Sequence, residues 1–423
     1  MNPPSPRPAV APVIDQHLEV AMHLHGTRQV LLDAPHARLH QLARLDERLI
    51  AHLDGLAIAG EAGLRASDAT LVAPFGGGEL FVATVLALQA RDTARLERLF
   101  ALAEAVSDTA PALVSAFGWV SSQHLRGVTK GLLDSPSPLR RAIGLQACAA
   151  HQVDPGPALT AACDETDTAL RAMAWRASGE LGRVDLLPAA LRALTDPDDA
   201  VRFEAARAAA RLGDRDAAPA TLRGLALAAG PHRVGALTTS LLVTAPGDVH
   251  GLLKALPADP VGERLRVRGA GWSGDPFYVP WLLKQAATPT LARVAGEALS
   301  LITGADLAAL DLEGAAPAGP ASGPNDDPAD DDVSLDEDES LPWPDTERLT
   351  AWWQVNATRF AAGTRHFVGQ ALSPAQATAV LSTGMQRQRV LAADHLMMLQ
   401  SGSRRFNTAA PSHRQQRLLA TAQ

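Results

Sequence analysis

Three segments near the middle of the 423-residue chain decide how it folds: DSPSPLRRAIGLQACAAHQVD (134–154), ETDTALRAMAWRASGELGRVD (165–185) and DPDDAVRFEAARAAARLGDRD (196–216). They start 31 residues apart, and in each an acid is followed six residues later by arginine: Asp134 and Arg140, Glu165 and Arg171, Asp196 and Arg202. Leu139, Leu170 and Val201 stand just before those arginines. Small and apolar residues then recur at helical spacing, as Ile143 and Ala147, as Ala174, Ala177 and Leu181, and as Ala205, Ala208 and Leu212. The polar turn before each arginine suits a helix N-terminus, where Asp, Ser and Thr satisfy free amides. Leu-Gly at 181–182 and 212–213 reads as a helix stop, because glycine accepts the left-handed cap conformation. A 31-residue unit therefore holds two short helices, too few to bury their own apolar face but enough once stacked on neighbours.

Outward from this centre the period drifts. Arg233 keeps it, Gly274-Asp275-Pro276 falls early, and LARVAGEALSLITG (291–304) is the last recognisable second helix. GELFVATVLALQARD (78–92) and ALVSAFGWV (112–120) read as earlier units, for about six to eight repeats in all. Ahead of Gly76-Gly77-Gly78, which reads as a loop, LARLDERLIAHLDGL (42–56) places Leu42, Leu45, Leu49, Leu53 and Leu56 on one helix face and Arg44, Glu47 and Arg48 on the other. Residues 1–14 hold five prolines and read as a disordered tail. The expected divisions are thus 1–14, an N-terminal helical region 15–75, repeats over 76–304, an acidic Pro/Gly-rich linker 305–345 and a basic helical segment 346–423. The linker carries thirteen acids and no basic residue, whereas 346–423 carries nine arginines against Glu347 and Asp394. Opposite charge at short tether length predicts an acidic strap lying on a basic surface.

Composition narrows the function. Aromatics are 4% of the chain, with one tyrosine, so the enrichment that marks sheet proteins is missing. A net charge of −8 argues against a duplex-binding surface, although arginines clustered in 171–215 keep a nucleic-acid-binding helical array, masked by the acidic linker, as an alternative. No apolar run approaches the ~18 residues of a membrane span, and MNPPSPRPAVAPVID has no basic start followed by an apolar core, which predicts a cytoplasmic protein without membrane insertion. Cys148 and Cys163 have no CxxC spacing and read as buried free thiols.

Several motifs were weighed for chemistry. Asp326, Asp327, Asp330, Asp331, Asp332, Asp336, Glu337, Asp338 and Glu339 offer oxygens to a hard cation, but without EF-hand spacing they read as a solvated run. Six histidines lie between His17 and His52, including His23-x-His25 and His36-x-x-x-His40; a metal-dependent enzyme built on them is a further alternative. HExxH, His-Glu dipeptides, GxSxG and the P-loop are all missing, so no catalytic residue, metal ligand or cofactor is assigned. Trp343, Trp352 and Trp353 read as anchors of the linker on its own domain, or as an aromatic epitope. GMQRQRVLAADHLMML (384–399) reads as an amphipathic helix with Arg387 and Arg389 at its start, facing the strap, and Leu391, Leu396 and Leu399 behind.

The acid turn followed by Val/Leu-Arg resembles the HEAT repeat. That resemblance implies an all-α fold, an α-solenoid of HEAT-like repeats, in which Asp134, Arg140, Glu165, Arg171, Asp196 and Arg202 form a polar ladder between stacked units rather than a site. GDPFYVPWLL (274–283), ARVAGEALSLITGADL (292–307), LPWPD (341–345), Trp352-Trp353, GTRHFVGQ (363–370), GMQRQR (384–389) and RQQRLL (414–419), with 42–56 and ALRAMAWRASGELGR (169–183), are similar to a HEAT-repeat family of proteobacterial proteins. Genes of that family commonly sit among type VI secretion components, so the resemblance implies a non-catalytic scaffold or adaptor for an effector or a structural component. On a solenoid the concave face receives the partner. Arg141, Arg176, Glu204, Arg207 and Arg211, with Trp343, Trp352, Trp353, Arg387 and Arg389, are then the candidate contacts.

Overall fold

The computed structural model describes residues 10–72, 74–317, 336–361 and 363–421, and these are almost wholly helical. One two-stranded hairpin, His366–Phe367 with Gln370–Ala371, is the exception. The all-α class follows directly from the alanine- and leucine-rich periodicity. The chain divides into two compact units: one holds the residues up to Asp33, Ala37–Leu181 and those from Phe406, the other Ala34–His36 and Gly182–Arg405. The expected boundary at 75–76 therefore falls within one unit, and the expected C-terminal segment 346–423 is shared between the two. Gly77 and Gly78 are not loop but the first turn of the helix Gly77–Ala90, where Gly78 lies so close to Met22 that a Cβ would sit 2.9 Å from its carbonyl oxygen.

In the first unit, Gly77–Ala90 is buried along its whole middle, from Leu80 to Leu88, between the helices Ala11–Asp33 and Ala110–Trp119. A helix apolar all round belongs inside, and this one is the unit's axis. Leu42, Leu45, Leu49, Leu53 and Leu56 are buried as their spacing predicts, while Arg44, Glu47 and Arg48 face solvent. The first helix starts at Ala11, within the expected 1–14 tail; Pro12 sits in its first turn, where a missing N–H breaks no helical bond, and Ile14 is buried. Residues 1–9 lie outside the described residues.

Helix pairs follow, in all but one of which the second helix is the longer. The first unit has Val128–Leu133 with Pro138–Ala150 and Pro157–Ala162 with Thr168–Glu180. The second has Leu187–Arg192 with Asp199–Leu212, Ala217–Leu227 with Arg233–Val243, Val249–Ala255 with Pro260–Ser273, and Val279–Gln285 with Pro289–Thr303. Every small or apolar position picked out in the three central segments is buried, from Ile143 to Leu212. The N-caps are Asp167, whose carboxylate accepts from the Leu170 amide at 2.8 Å, and Asp198, which accepts from Ala200 and Val201. Gly213 ends its helix at φ 116°.

The end of the chain closes off exposed carbonyls in each unit, since the last turn of a helix leaves C=O groups unpaired. In the second, the Arg365 guanidinium donates to Ser273 O at 3.0 Å, to Leu241 O at 2.8 Å and to the Leu242 and Thr244 carbonyls, joining two helix C-termini. Burial pushes that guanidinium down to about 10. Val368 and Gly369 donate to Leu301 O and Ile302 O at the end of a third helix. In the first unit Arg414 does the same for Gly118, Trp119 and Val120, and Asn407 for Ala150. Nearby, a buried Arg28–Asp46 pair at 2.7 Å also holds the carbonyls of Ala409 and Ala410 and the amide of Ser412. Arg365 and Arg414, in the stretches 363–370 and 414–419, thus serve helix capping.

Candidate partner-binding groove

The second unit carries a groove of about 400 Å³ lined by Val234, Val261, Arg264, Leu265, Arg268 and the acidic turn Asp336–Asp338. Its helical lining comes from Arg233–Val243 and Pro260–Ser273, and the latter meets Pro289–Thr303 closely because it has glycine at the crossing: a Cβ on Gly271 would stand 2.7 Å from the Cα of Ala298. Asp259 caps Pro260–Ser273 by accepting from Gly262 N at 2.7 Å. Residues four apart share a helix face, so Arg264 and Arg268 form one row and Arg293 and Glu297 the row beside it.

The acidic segment lies on these rows. Arg264 grips Asp338 with both terminal nitrogens, at 2.7 Å each, the two-pronged geometry that makes guanidinium–carboxylate pairs strong and directional, and it reaches Glu337 at 3.3 Å. The hydrogen bond to Asp338 raises Arg264 above the ordinary guanidinium value. Arg293 binds Asp336 and lies over the Trp343 ring at 4.7 Å. Arg387 joins Glu297, at 3.2 Å to each oxygen, to the Glu337 carbonyl at 3.0 Å. The segment is a turn rather than a helix, closed by Glu339 N to Asp336 O and Leu341 N to Asp338 O, with Leu341 buried. Among the described residues Arg268 makes neither an ion pair nor a hydrogen bond; it lies over Trp272 at 4.9 Å, and burial lowers its pKa, Glu297 opposing this and Arg387 and Arg264 adding to it. Asp326, Asp327, Asp330, Asp331 and Asp332 lie outside the described residues.

The remaining sequence-predicted residues are scattered. Arg171 and Arg202 each turn back onto the backbone carbonyl of the acid six residues earlier, Glu165 and Asp196. The Glu165 carboxylate takes Arg141 from the preceding pair, a contact between units of the repeat. Arg140 binds Glu97 at 2.6 Å and Glu104 at 3.0 Å, and Asp134 takes Lys130. Arg176, nearly half exposed, pairs with Glu180 at 3.2 Å. Glu204 and Arg207 pair at 3.0 Å, Arg207 also lying over Phe203.

Two candidate contacts need correction. Arg211 is 3% exposed and bonded at 2.7 Å to Asp394, which also takes Arg405 at 2.8 Å. Burial alone would raise the Asp394 carboxyl, but Arg405 and Arg211 outweigh it and hold it well below the usual range. Arg389 is fully buried, donating to Leu381 O at 2.7 Å and Gln386 Oε1 at 2.6 Å, and burial lowers it to about 10. Neither faces a partner. Of the two arginines expected to face the strap from Gln386–Leu399, Arg387 reaches it and Arg389 is buried, and Leu399, expected behind, is exposed. Trp343 and Trp353, half-buried, contact Arg293 and Phe360 as anchors do.

Among the six N-terminal histidines, His17 Nδ1 and His52 Nδ1 stand 2.9 Å apart, and His25 stacks on Phe81 with burial and Arg28 lowering it to about 4. Among the described residues no three His, Cys, Asp or Glu side chains gather where a metal could be held. Cys148 and Cys163 are buried thiols, and neither is in a disulfide. No described helix is long and apolar enough to cross a membrane.

Arg264, Arg268 and Arg293 were not singled out from sequence. The R-x-x-x-R spacing of 264 and 268 was the available signal, but nothing local ties it to an acid 74 residues away. No curated protein and no solved structure matches the chain. Residues 156–241 match the family model for HEAT repeats, so repeats of the HEAT type form part of this all-α chain.

Proposed function

We propose that the chain is a non-catalytic, cytoplasmic scaffold that holds a protein partner. HEAT repeats commonly mediate protein–protein interaction, and here Arg140, Arg171, Arg202, Arg211 and Arg389 are engaged in ion pairs, backbone contacts and helix packing. The observation that carries the reading is the groove: stacked repeat helices present an arginine-lined channel that already holds a non-helical piece of polypeptide. Exposed Val261 and Val234 at its edge add apolar contact of the kind interfaces use. We further propose that the partner is a type VI secretion effector or a structural component of that apparatus, on the strength of the family resemblance in 274–307, 341–345, 363–370 and 384–389. Crosslinking with mass spectrometry in secretion-active cells tests this. Crosslinks from Lys254 or Lys284, both in the second unit, to a component of the apparatus are expected; crosslinks only to nucleic-acid-bound proteins, or to none, count against it.

A further inference from the structure

We infer that the groove is a binding site for an acidic, tryptophan-bearing segment of the partner, and that Asp336–Trp343 occupies it as an internal stand-in. This rests on the scaffold reading and names the chemistry of its partner. Arg264 and Arg268 line the channel, and Arg293 and Arg387 hold the same acidic turn from beside it, through Asp336 and the Glu337 carbonyl, with Glu297 the carboxylate paired to Arg387. Like charges held this close raise the local potential and select an anionic ligand. What lies there now shows the form such a ligand takes: an extended acidic turn for the guanidinium forks, then an indole under Arg293.

The internal segment leaves the site incompletely matched. Arg268 lines the same channel yet makes no ion pair among the described residues; Glu297 and, more weakly, Glu337 favour its charge without touching it, while Arg387 and Arg264 oppose it. A segment whose carboxylate also reaches Arg268 gains a direct ion pair, where Glu337 now acts only through space. The occupant is also replaceable. It is held by the two backbone turn contacts, by Asp338 N donating to Asp336 Oδ1 at 2.9 Å and by Gly314 N donating to the Trp343 carbonyl at 2.8 Å, none of them a helical bond, so its release unwinds no helix. Because it is tethered, it competes at high effective concentration and sets a threshold that only a better-matched or locally concentrated partner passes.

The test is a titration of a fluorescent DEDESLPWPD peptide, the sequence of 336–345, into the full chain and into its D336N/E337Q/D338N variant, followed by anisotropy at low and high salt. The variant is expected to bind at least tenfold more tightly than the parent, with the affinity falling as salt rises. Adding R264Q should remove that gain, and adding R268Q should weaken binding about threefold. Single D338N, expected to give a smaller gain, serves if the triple variant does not fold by circular dichroism. Equal affinity for parent and variant, or affinity indifferent to R264Q and R268Q, overturns the inference. So does a single-stranded oligonucleotide that displaces the peptide at lower concentration, which would assign the groove to nucleic acid. A parent dimer that D338N turns into monomer would likewise overturn it, naming a second copy as occupant. Such failures, with in-cell crosslinks still recovered elsewhere on the chain, would leave the scaffold reading standing.

Discussion

The second unit contains two arginine–carboxylate constellations of similar chemistry and different consequence. In one, Arg211 and Arg405 enclose Asp394; in the other, Arg264 and Arg293 hold Asp338 and Asp336. Distances do not separate them, since both include contacts at 2.7 Å. What differs is the element that supplies the acid and the escape open to the arginine. Asp394 is fixed in the helix Gln386–Leu399, which packs on Asp199–Leu212, and Arg211 is 4% exposed at its side chain. Asp338 belongs to a short turn, and Arg264 is 26% exposed, with water at hand if the acid leaves. The first constellation fastens the fold; the second can change partners.

The largest effect should come from breaking the fastener. Asp394→Ala leaves two guanidinium groups facing each other with little access to water, a loss expected to cost about 3–5 kcal/mol in denaturant unfolding. An effect below about 1 kcal/mol would erase the distinction drawn here. Next is Gly274→Ala, which places a Cβ 2.3 Å from His366 O at φ 67° and should loosen the hairpin from the helix ends by about 2 kcal/mol or more.

Acid should also strike the fastened side. Burial, reinforced by Arg365, lowers His395 to about 3, and burial with Arg28 lowers His25 to about 4. Below the ordinary histidine value of roughly 6.5 the unfolded chain takes up protons that the folded chain refuses, so stability falls as pH drops from about 6.5 toward 4. His395→Phe, next to Asp394, should flatten part of that slope by on the order of a few kcal/mol in melts recorded across the window. Asp338→Asn should have the smallest effect on stability, about 1–2 kcal/mol: Asp338 is buried, but asparagine keeps its shape and the partly exposed Arg264 can turn to water. Its signature is increased peptide binding.

The fold was largely legible because its signals are local. Ile143, Ala177 and Ala208 announce burial through spacing of three and four residues, and Gly213 announces a helix end through its freedom at positive φ. The linker's charge also predicted that an acidic segment would lie on a basic surface, and Arg387 does touch it. Local periodicity could not say which helix face the chain would later cover. Arg211 and Arg389 look like exposed cations in their own helices, yet contacts from residues up to 183 positions away bury one, and packing against the 374–383 helix region encloses the other. For the same reason Arg264 and Arg293 went unnoticed: their partners are 74 and 43 residues downstream, a distance at which sequence gives charge balance but not pairing.

The most direct test of the central claim is hydrogen exchange on the full chain with and without saturating DEDESLPWPD peptide. Exchange should quicken at the Glu339 and Leu341 amides, whose turn bonds are released when the internal segment is displaced, while the amides of Gln386–Leu399 keep their protection. If both regions quicken together, or neither responds, the groove does not exchange its occupant independently of the fold and the account is wrong.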